Sequence, residues 1–300
     1  MIAFRDFSKT FGAHTAVSAL TLEIARGEVV ALLGPNGSGK TTSIKAAAGL
    51  IRPSHGSVVL GDPPRLALDP AARQCCTFLP QKVSFPDQLT GREVVEFYGA
   101  LRGEEPFRID GALARASLNG ASGRGVGTYS GGMVQRLGLA VAVASGSPIM
   151  LLDEPTAALD ADGLSAFYAL IEGQRRRGQT VLFSSHQLGD VERLADRVAV
   201  LVGGRLVATL TARDLAERLA DRGVMRVTLS GVSPQVLSSI QQVAPGTQSV
   251  AGQLVVRGPA RLRPAVLETL REARVAIQDL TTEEGRLDSL YRELVSGDAS

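Results

Sequence analysis

The chain has 300 residues, 44% of them hydrophobic, and a formal net charge of +2. This length and composition allow a substantial buried core, in one large domain or in a large domain and a small one. Because the charge is nearly balanced, it implies no polyelectrolyte partner, and we expect no nucleic acid to bind.

The first residues do not resemble a secretion signal, because Arg5, Asp6 and Lys9 precede any apolar segment. The longest apolar stretch, residues 137–152, is interrupted at residues 145–148 and is shorter than the ~18 to 20 residues that span a bilayer. We therefore expect a soluble, cytoplasmic chain.

The first strong local pattern is a strand, a glycine-rich loop and a helix. Residues 29–33 form a continuous apolar run that predicts a buried strand, and residues 42–48 predict a helix. The loop between them matches G-x-x-x-x-G-K-[ST], a pattern in which glycines let the backbone wrap a polyphosphate at a helix N-terminus. The predicted nucleotide contacts are Gly34, Pro35, Asn36, Gly37, Ser38, Gly39, Lys40, Thr41 and Thr42. Lys40 would reach the terminal phosphates, and the Thr41 hydroxyl would reach a Mg²⁺ ion.

Further apolar runs predict the rest of a sheet. They occur at residues 57–60, 76–79, 149–152, 180–184 and 197–202. Helical patterns between several of these runs indicate a mainly parallel sheet with crossover helices. Cys75 and Cys76 adjoin one run; because they are adjacent, they fit neither a disulfide framework nor a C-x-x-C metal clip, and we expect buried thiols.

Residues 82–147 contain no convincing strand, and this indicates an inserted helical subdomain. One of its helices opens with a capping box, in which Thr90 and Glu93 bond each other's backbone N–H groups. A helix over residues 133–144 follows Ser130, Gly131 and Gly132, which predict a second anion cradle at a helix N-terminus.

Two carboxylates, Asp153 and Glu154, directly follow the strand predicted at residues 149–152. Parallel sheets bind ligands at the carboxyl ends of their strands. Asp153 would hold Mg²⁺, often through water, and Glu154 would orient or deprotonate an attacking water. Because phosphoryl transfer mainly needs positioned charge, this pair and the phosphate loop predict that reaction.

The pattern changes after a helix predicted at residues 211–220. From residue 225 to 280 the elements follow the order β-α-β-β-α-β, which predicts a small ferredoxin-like α+β domain, closed by a helix over residues 287–295. No chemical motif occurs in it, so a regulatory role and simple packing or dimerisation both stay open. The predicted domains are residues 1–212, with a helical subdomain at about 82–147, a connecting segment at 213–223, and an accessory domain at 224–300.

Over residues 1 to about 210, the chain resembles the nucleotide-binding subunit of an ATP-binding-cassette (ABC) transporter. Four single residues match family positions: Phe11 the adenine-stacking aromatic, Gln81 the glutamine that senses Mg²⁺ and the membrane partner, Asp160 the loop after the carboxylates, and His186 the γ-phosphate sensor. The family's Leu-Ser-Gly-Gly-Gln motif reads Tyr-Ser-Gly-Gly-Met here, at residues 129–133.

This resemblance implies an α/β P-loop NTPase fold, with the helical subdomain inserted, and hydrolysis of ATP with Mg²⁺. Glu154 and His186 would be catalytic, and Thr41, Gln81 and Asp153 would contact the metal. It also implies a head-to-tail homodimer, in which the cradle at residues 130–132 serves the nucleotide of the other copy. An integral membrane permease subunit would place the chain at the cytoplasmic face of the inner (cell) membrane.

Three segments, at residues 81–102, 129–140 and 287–294, look together like the cassette of the nitrous-oxide-reductase maturation system. That closer resemblance implies a role in assembling the copper centres of that enzyme and a periplasmic partner protein. Cassettes of other exporters, for drugs, lipids or ions, share part of the pattern. A soluble cassette of translation or DNA repair usually has a second cassette or a coiled-coil insertion, and a regulatory cassette without activity would be expected to lose Glu154 or His186.

Overall fold

The computed structural model describes residues 1–103, 107–250, 252–283, 285 and 287–297. The chain divides after Ala212 into two compact units, residues 1–212 and 213–300. The helix predicted at residues 211–220 is observed at Ala212–Ala220, and all but its first residue belongs to the second unit.

The first unit contains ten strands and seven α-helices within its described residues. In chain order they are β1 Ile2–Phe11, β2 His14–Ile24, β3 Val29–Leu33, α1 Lys40–Ala47, β4 His55–Leu60, β5 Arg65–Leu66, α2 Pro70–Gln74, β6 Cys76–Leu79, α3 Gly91–Ala100, α4 Phe107–Arg115, α5 Gly131–Ala144, β7 Ile149–Leu152, α6 Ala161–Arg176, β8 Thr180–Ser185, α7 Leu188–Leu194, β9 Arg197–Val202 and β10 Arg205–Thr211.

The central sheet has the strand order β10-β9-β3-β8-β7-β6. Its five strands from β9 to β6 run parallel, and β10 is antiparallel to β9. Every residue of β3, β7 and β8 is buried, which explains why these strands read as continuous apolar or small-residue runs. Because β3, β8, β7 and β6 are neighbours, the loops after their carboxyl ends meet at one edge of the sheet.

A second, antiparallel sheet of the first unit has the order β2-β1-β4-β5. The prediction for residues 57–60 was therefore wrong in one respect: this run lies in β4, paired with β1, and not in the parallel sheet. The strands β1 and β2 were not predicted. Their buried residues are interleaved with exposed ones, so they show no continuous apolar run.

The helical subdomain forms its own core from α3, α4 and α5, with Val95, Leu113 and Leu137 fully or almost fully buried. The described residues of this subdomain form no strand, as the sequence predicted. They contain one isolated β-bridge, between Thr90 and Gly125. The capping box is also confirmed: the Thr90 N–H donates to the Glu93 carboxylate, and the Glu93 N–H donates to the Thr90 hydroxyl. These bonds to the carboxylate lower the pKa of Glu93.

In the second unit the elements are α8 Ala212–Ala220, β11 Val224–Leu229, α9 Pro234–Val243, β12 Thr247–Val250, β13 Gln253–Arg257, α10 Arg263–Glu272, β14 Ile277–Glu283 and α11 Leu287–Gly297. The sheet order β12-β13-β11-β14 is entirely antiparallel, with α9 and α10 supplying core residues, an arrangement typical of ferredoxin-like domains. The last strand was predicted to begin at residue 275 but begins at residue 277. Arg274 is in the left-handed region, with φ 53°, and the Val275 N–H bonds Leu270 O, so these two residues end α10.

Candidate active site

The phosphate loop follows β3 and ends in α1. Gly39 caps this helix with φ 98°, and a Cβ atom there would lie 2.7 Å from the carbonyl oxygen of Ala16, so only glycine fits. The Ser38 hydroxyl is buried and has no hydrogen-bond partner in the described structure. A buried polar group without a partner is costly, so this hydroxyl fits a loop built to hold a polar ligand.

Lys40 is the first residue of α1, and its side chain contacts the preceding phosphate loop. Its Nζ donates to Gly34 O at 2.8 Å and to Pro35 O at 3.0 Å. Burial lowers the pKa of Lys40, and the negative charges of Glu154 and Asp153 oppose that shift. The ammonium group is therefore held at the mouth of the loop, where a bound phosphate would replace the backbone carbonyls as its partner.

Asp153, at the end of β7, is 1% exposed and is held by two hydroxyl groups. Thr41 Oγ1 donates to its Oδ1 at 3.0 Å, and Ser184 Oγ donates to the same oxygen at 2.7 Å. The hydroxyl and carboxylate oxygens of Thr41 and Asp153 thus lie together, and Mg²⁺ prefers such hard oxygen ligands. These residues fit the metal that the sequence predicts.

Glu154 is the next residue, and its backbone is in the left-handed region with φ 46°. Outside glycine this conformation is uncommon and marks a constrained site. The Glu154 N–H donates to Ser184 Oγ at 2.8 Å, and its Oε2 accepts a bond from Gln81 Nε2 at 3.1 Å. His186 Nδ1 lies 3.4 Å from the same Oε2. The structure therefore brings Gln81, Glu154 and His186 together at the ends of β6, β7 and β8.

A pocket of about 450 Å³ lies over the phosphate loop, within the size range of ligand sites. Its lining consists of Phe11, His14, Ala16, Asn36, Gly37, Ser38, Gly39, Lys40, Thr41, Thr42, Gln81 and Glu154. The Phe11 ring is 49% exposed, with Lys9 Nζ 4.9 Å from its centroid. An aromatic ring exposed at the edge of such a pocket offers a face on which a base can stack.

The second predicted cradle lies at the start of α5. Ser130 caps this helix by accepting a bond from Met133 N–H at 3.2 Å, and Gly131 is exposed. Neither the cradle at residues 130–132 nor Asp160 is among the residues that line the pocket. Asp160 Oδ1 instead accepts a bond from Gly163 N–H at 2.8 Å and caps α6, so a contact of Asp160 with nucleotide stays a prediction.

Several residues of this site were not named as candidates from the sequence. His14 and Ala16 lie on β2, a strand that was itself not predicted, and no local signal marks them. Ser184 bonds both Asp153 and the Glu154 backbone, and its position two residues before His186 was the available signal. Tyr129, in the variant motif, donates its hydroxyl to Ala121 O at 2.8 Å, and burial raises the pKa of this hydroxyl.

Comparison with known proteins decides the family. The family model for ABC transporters matches residues 17–157. Nod factor export ATP-binding protein I of Rhizobium etli is 32% identical over 243 residues, which cover 80% of this chain and 76% of that protein. This chain belongs to the ABC transporter family. Linearmycin resistance ATP-binding protein LnrL of Bacillus subtilis is 27% identical over 98% of both chains.

A solved structure of the same family superposes with a TM-score of 0.65 at 26% identity, covering 71% of this chain and 99% of the other. It is a dimeric, post-hydrolysis state of the ATP-binding cassette MJ0796 bound to ADP and Pi. The predictions of an α/β ABC ATPase fold, of ATPase activity and of ATP with Mg²⁺ as cofactors are confirmed. No helix in the described part of the chain combines the length and the apolar character needed to cross a bilayer.

Proposed function

We propose that this ATPase is the motor subunit of an ABC exporter and that Glu154 and His186 carry out hydrolysis in it. The observation that supports these roles is the convergence of Gln81 Nε2 and His186 Nδ1 on one oxygen of Glu154, at 3.1 and 3.4 Å. A carboxylate with one face toward the pocket and two polar neighbours can orient water for attack on a phosphate.

We assign the roles of the site residues as follows. The loop backbone, the Ser38 hydroxyl and the Lys40 ammonium would bind the phosphates, and the oxygens of Thr41 and Asp153 would hold Mg²⁺. Gln81, which bonds Glu154, would be the further residue near the metal. When bound, Mg²⁺ would neutralise phosphate charge. Glu154 takes a proton from the attacking water, and His186 contacts the terminal phosphate. Phe11 stacks on the base.

Replacement of Glu154 by Gln tests the catalytic role. We expect phosphate release to slow by at least ~100-fold while MgATP binding is kept, because the amide cannot act as a base. Glu172→Gln is the matched control, since Glu172 lies on α6 and pairs with Arg176 away from the pocket. Unchanged turnover in Glu154→Gln would remove this residue from catalysis.

The permease contact is proposed for an exposed surface formed by Phe97, Tyr98 and Leu101, at the end of α3. Leu101 is 68% exposed and Phe97 is 55% exposed, and the Phe97 and Tyr98 rings stack edge to face at 5.4 Å. Leu101 also lines a groove of about 740 Å³, together with residues 145–148. Exposed large apolar side chains beside a groove are typical of a protein interaction site. This contact would hold the chain at the cytoplasmic face of the cell membrane.

Phe97→Asp and Leu101→Asp should abolish co-purification with the permease subunit while ATP hydrolysis of the isolated protein stays within about twofold, because the pocket is not lined by either residue. Asp87, which is exposed, can be reversed to Lys in the same assay. Arg92 is less suitable, because it pairs with Asp110 and Glu96 within the subdomain. Normal co-purification of both aspartate variants would refute this surface.

The proposed cargo is a small molecule carried out of the cell, because the names of two relatives give linearmycin resistance and Nod factor export. The narrower prediction, copper-centre maturation of nitrous-oxide reductase with a periplasmic partner, rests on the sequence resemblance alone. Burial raises the pKa of the Cys76 thiol to about 11, so Cys76 is a poor metal ligand, and the described residues contain no group of three or more potential metal-binding side chains.

A deletion strain separates these two cargo proposals. Loss of this chain should increase sensitivity to an exported toxic compound and leave the copper content of nitrous-oxide reductase normal. A reductase that is present but deficient in copper would instead establish the maturation role and overturn the resistance exporter.

A further inference from the structure

Asp190 is a buried carboxylate outside the residues assigned so far. It lies in the first turn of α7 and is 1% exposed. Three hydroxyl groups donate to it: Thr156 Oγ1 to Oδ2 at 2.6 Å, Ser185 Oγ to Oδ2 at 3.1 Å, and Tyr168 OH to Oδ1 at 2.8 Å. Burying a carboxylate costs free energy even when it is well bonded, so stability alone is a weak reason for one at this position.

The two donors to Oδ2 come from the two loops that carry the proposed catalytic residues. Thr156 lies two residues after Glu154, and Ser185 directly precedes His186. The Ser185 hydroxyl also accepts a bond from Gln187 N–H at 2.9 Å, so the turn that contains His186 closes around the same hydroxyl. One carboxylate oxygen thus joins the segment after β7 to the segment after β8.

The third donor, Tyr168, belongs to α6 and reaches neither loop. It bonds the other oxygen, Oδ1, and Arg193 lies over its ring at 4.5 Å. Burial and the bond to Asp190 raise the pKa of Tyr168 to about 12, so its hydroxyl stays a donor at neutral pH. Tyr168 therefore anchors Asp190 to the helix and provides a natural control for the two loop contacts.

We infer that Asp190 is a positioning residue for hydrolysis, which fixes the distance between Glu154 and His186 through its bonds to Thr156 and Ser185. This inference rests on the proposed catalytic roles of those two residues. The separation of His186 Nδ1 and Glu154 Oε2, 3.4 Å, is longer than a normal hydrogen bond, so no direct bond between them holds the pair in place. Asp190 supplies that constraint, because it bonds Thr156, two residues after Glu154, and Ser185, directly before His186.

The phosphate and metal contacts have separate support. Ser184 holds Asp153 and the Glu154 backbone independently of Asp190, and Lys40 is held by its own loop. Loss of the Asp190 contacts should therefore change the chemical step and leave nucleotide binding intact. The expected result is a lower kcat at an unchanged KM, which a loss of binding would not produce.

The experiment measures steady-state phosphate release and MgATP affinity for the full chain. Asp190→Asn should lower kcat at least ~10-fold with KM and affinity within about twofold, and Thr156→Val and Ser185→Ala should each lower kcat in the same way. The effects of Thr156→Val and Asp190→Asn should be non-additive, because they break one contact. Tyr168→Phe, the matched control, should keep kcat within about twofold.

The outcomes separate this inference from the catalytic assignment. If Asp190→Asn lowers the thermal midpoint but keeps kcat, the carboxylate only stabilises the fold and the inference is wrong. If that variant does not fold, Thr156→Val and Ser185→Ala decide, and normal kcat in both overturns the inference. Glu154→Gln is assayed beside them: if it retains turnover, the proposed catalytic role fails, whereas its inactivity beside an active Asp190→Asn refutes the positioning role alone.

Discussion

A single hydroxyl group, that of Ser184, holds both carboxylate residues of the site. It donates to Asp153 Oδ1 and accepts from the Glu154 N–H, and the residue is completely buried. The second bond also holds Glu154 in its left-handed conformation, which carries strain. The geometry of the Glu154 carboxylate is therefore set by its neighbour on β8 as well as by its own strand.

Ser184→Ala should leave the Glu154 N–H without a partner and remove one donor from Asp153. The expected cost is about 1–3 kcal/mol of folding free energy, because an unpaired buried group loses its hydration without compensation. We also expect a fall in kcat, since Glu154 is no longer fixed. Thermal unfolding and phosphate release measure the two effects. Ser145→Ala removes a buried hydroxyl that bonds Ala142 O and Ser147 Oγ and does not line the pocket over the phosphate loop, so it should affect stability and leave kcat unchanged.

Motif residues could be predicted singly, but the residues that support them could not. Lys40, Asp153 and Glu154 follow local patterns that carry chemical meaning by themselves. Asp190 has no such pattern, because its partners lie 34, 22 and 5 residues away and become its neighbours only when β7, β8, α6 and α7 pack. Asp160, in contrast, does match a motif, but its carboxylate caps α6, and the motif does not reveal that role.

At the scale of elements, the sequence predicts strands that are buried on both faces. The bounds of β3, β6, β7 and β9 agree with the predicted runs, because nearly all of their positions are buried and carry apolar or small residues. The strands β1 and β2 expose part of their residues, and their alternation is further broken by register shifts in their pairing. This explains why the antiparallel sheet was missed while the parallel sheet was found.

Within the helical subdomain, the start of α3 packs against the variant cradle motif, where Gly91 contacts Tyr129. Gly91, the first residue of α3, is buried, and a Cβ atom there would lie 2.2 Å from the Tyr129 hydroxyl oxygen. That hydroxyl bonds Ala121 O at 2.8 Å, so the ring cannot move away without losing a bond. Tyrosine at this motif position therefore requires glycine at the start of α3.

We predict that Gly91→Ala destabilises the wild-type protein by about 1–3 kcal/mol, the usual cost of overpacking. In a Tyr129→Leu background, where the motif takes its commoner residue, the same change should cost less than half as much, because the clashing atom is gone. Denaturant unfolding of the four proteins of this double-mutant cycle measures the coupling. Equal costs in both backgrounds would show that Tyr129 does not determine the choice of glycine.

At the scale of the whole molecule, the arrangement of two anion cradles points to a second copy of the chain. The cradle at residues 130–132 belongs to the helical subdomain and does not line the pocket above the phosphate loop. A Cβ atom at Gly131 would meet nothing within 4 Å, so the structure leaves open space beside the start of α5. A cradle that serves no nucleotide of its own chain fits a site completed across a two-fold interface.

The dimer can be tested with Glu154→Gln, in which we expect bound ATP to be hydrolysed slowly. Light scattering should show the mass rising from 31.4 kDa to twice that value when MgATP is added, since ligand shared between two copies favours the dimer. The control adds Gly131→Asp to the same protein. An acidic residue suits the first turn of α5, and it has room there, but its charge repels a phosphate from the other copy. This double variant should bind MgATP in its own pocket and remain monomeric. A wild-type protein that hydrolyses ATP fully while strictly monomeric would contradict the composite site.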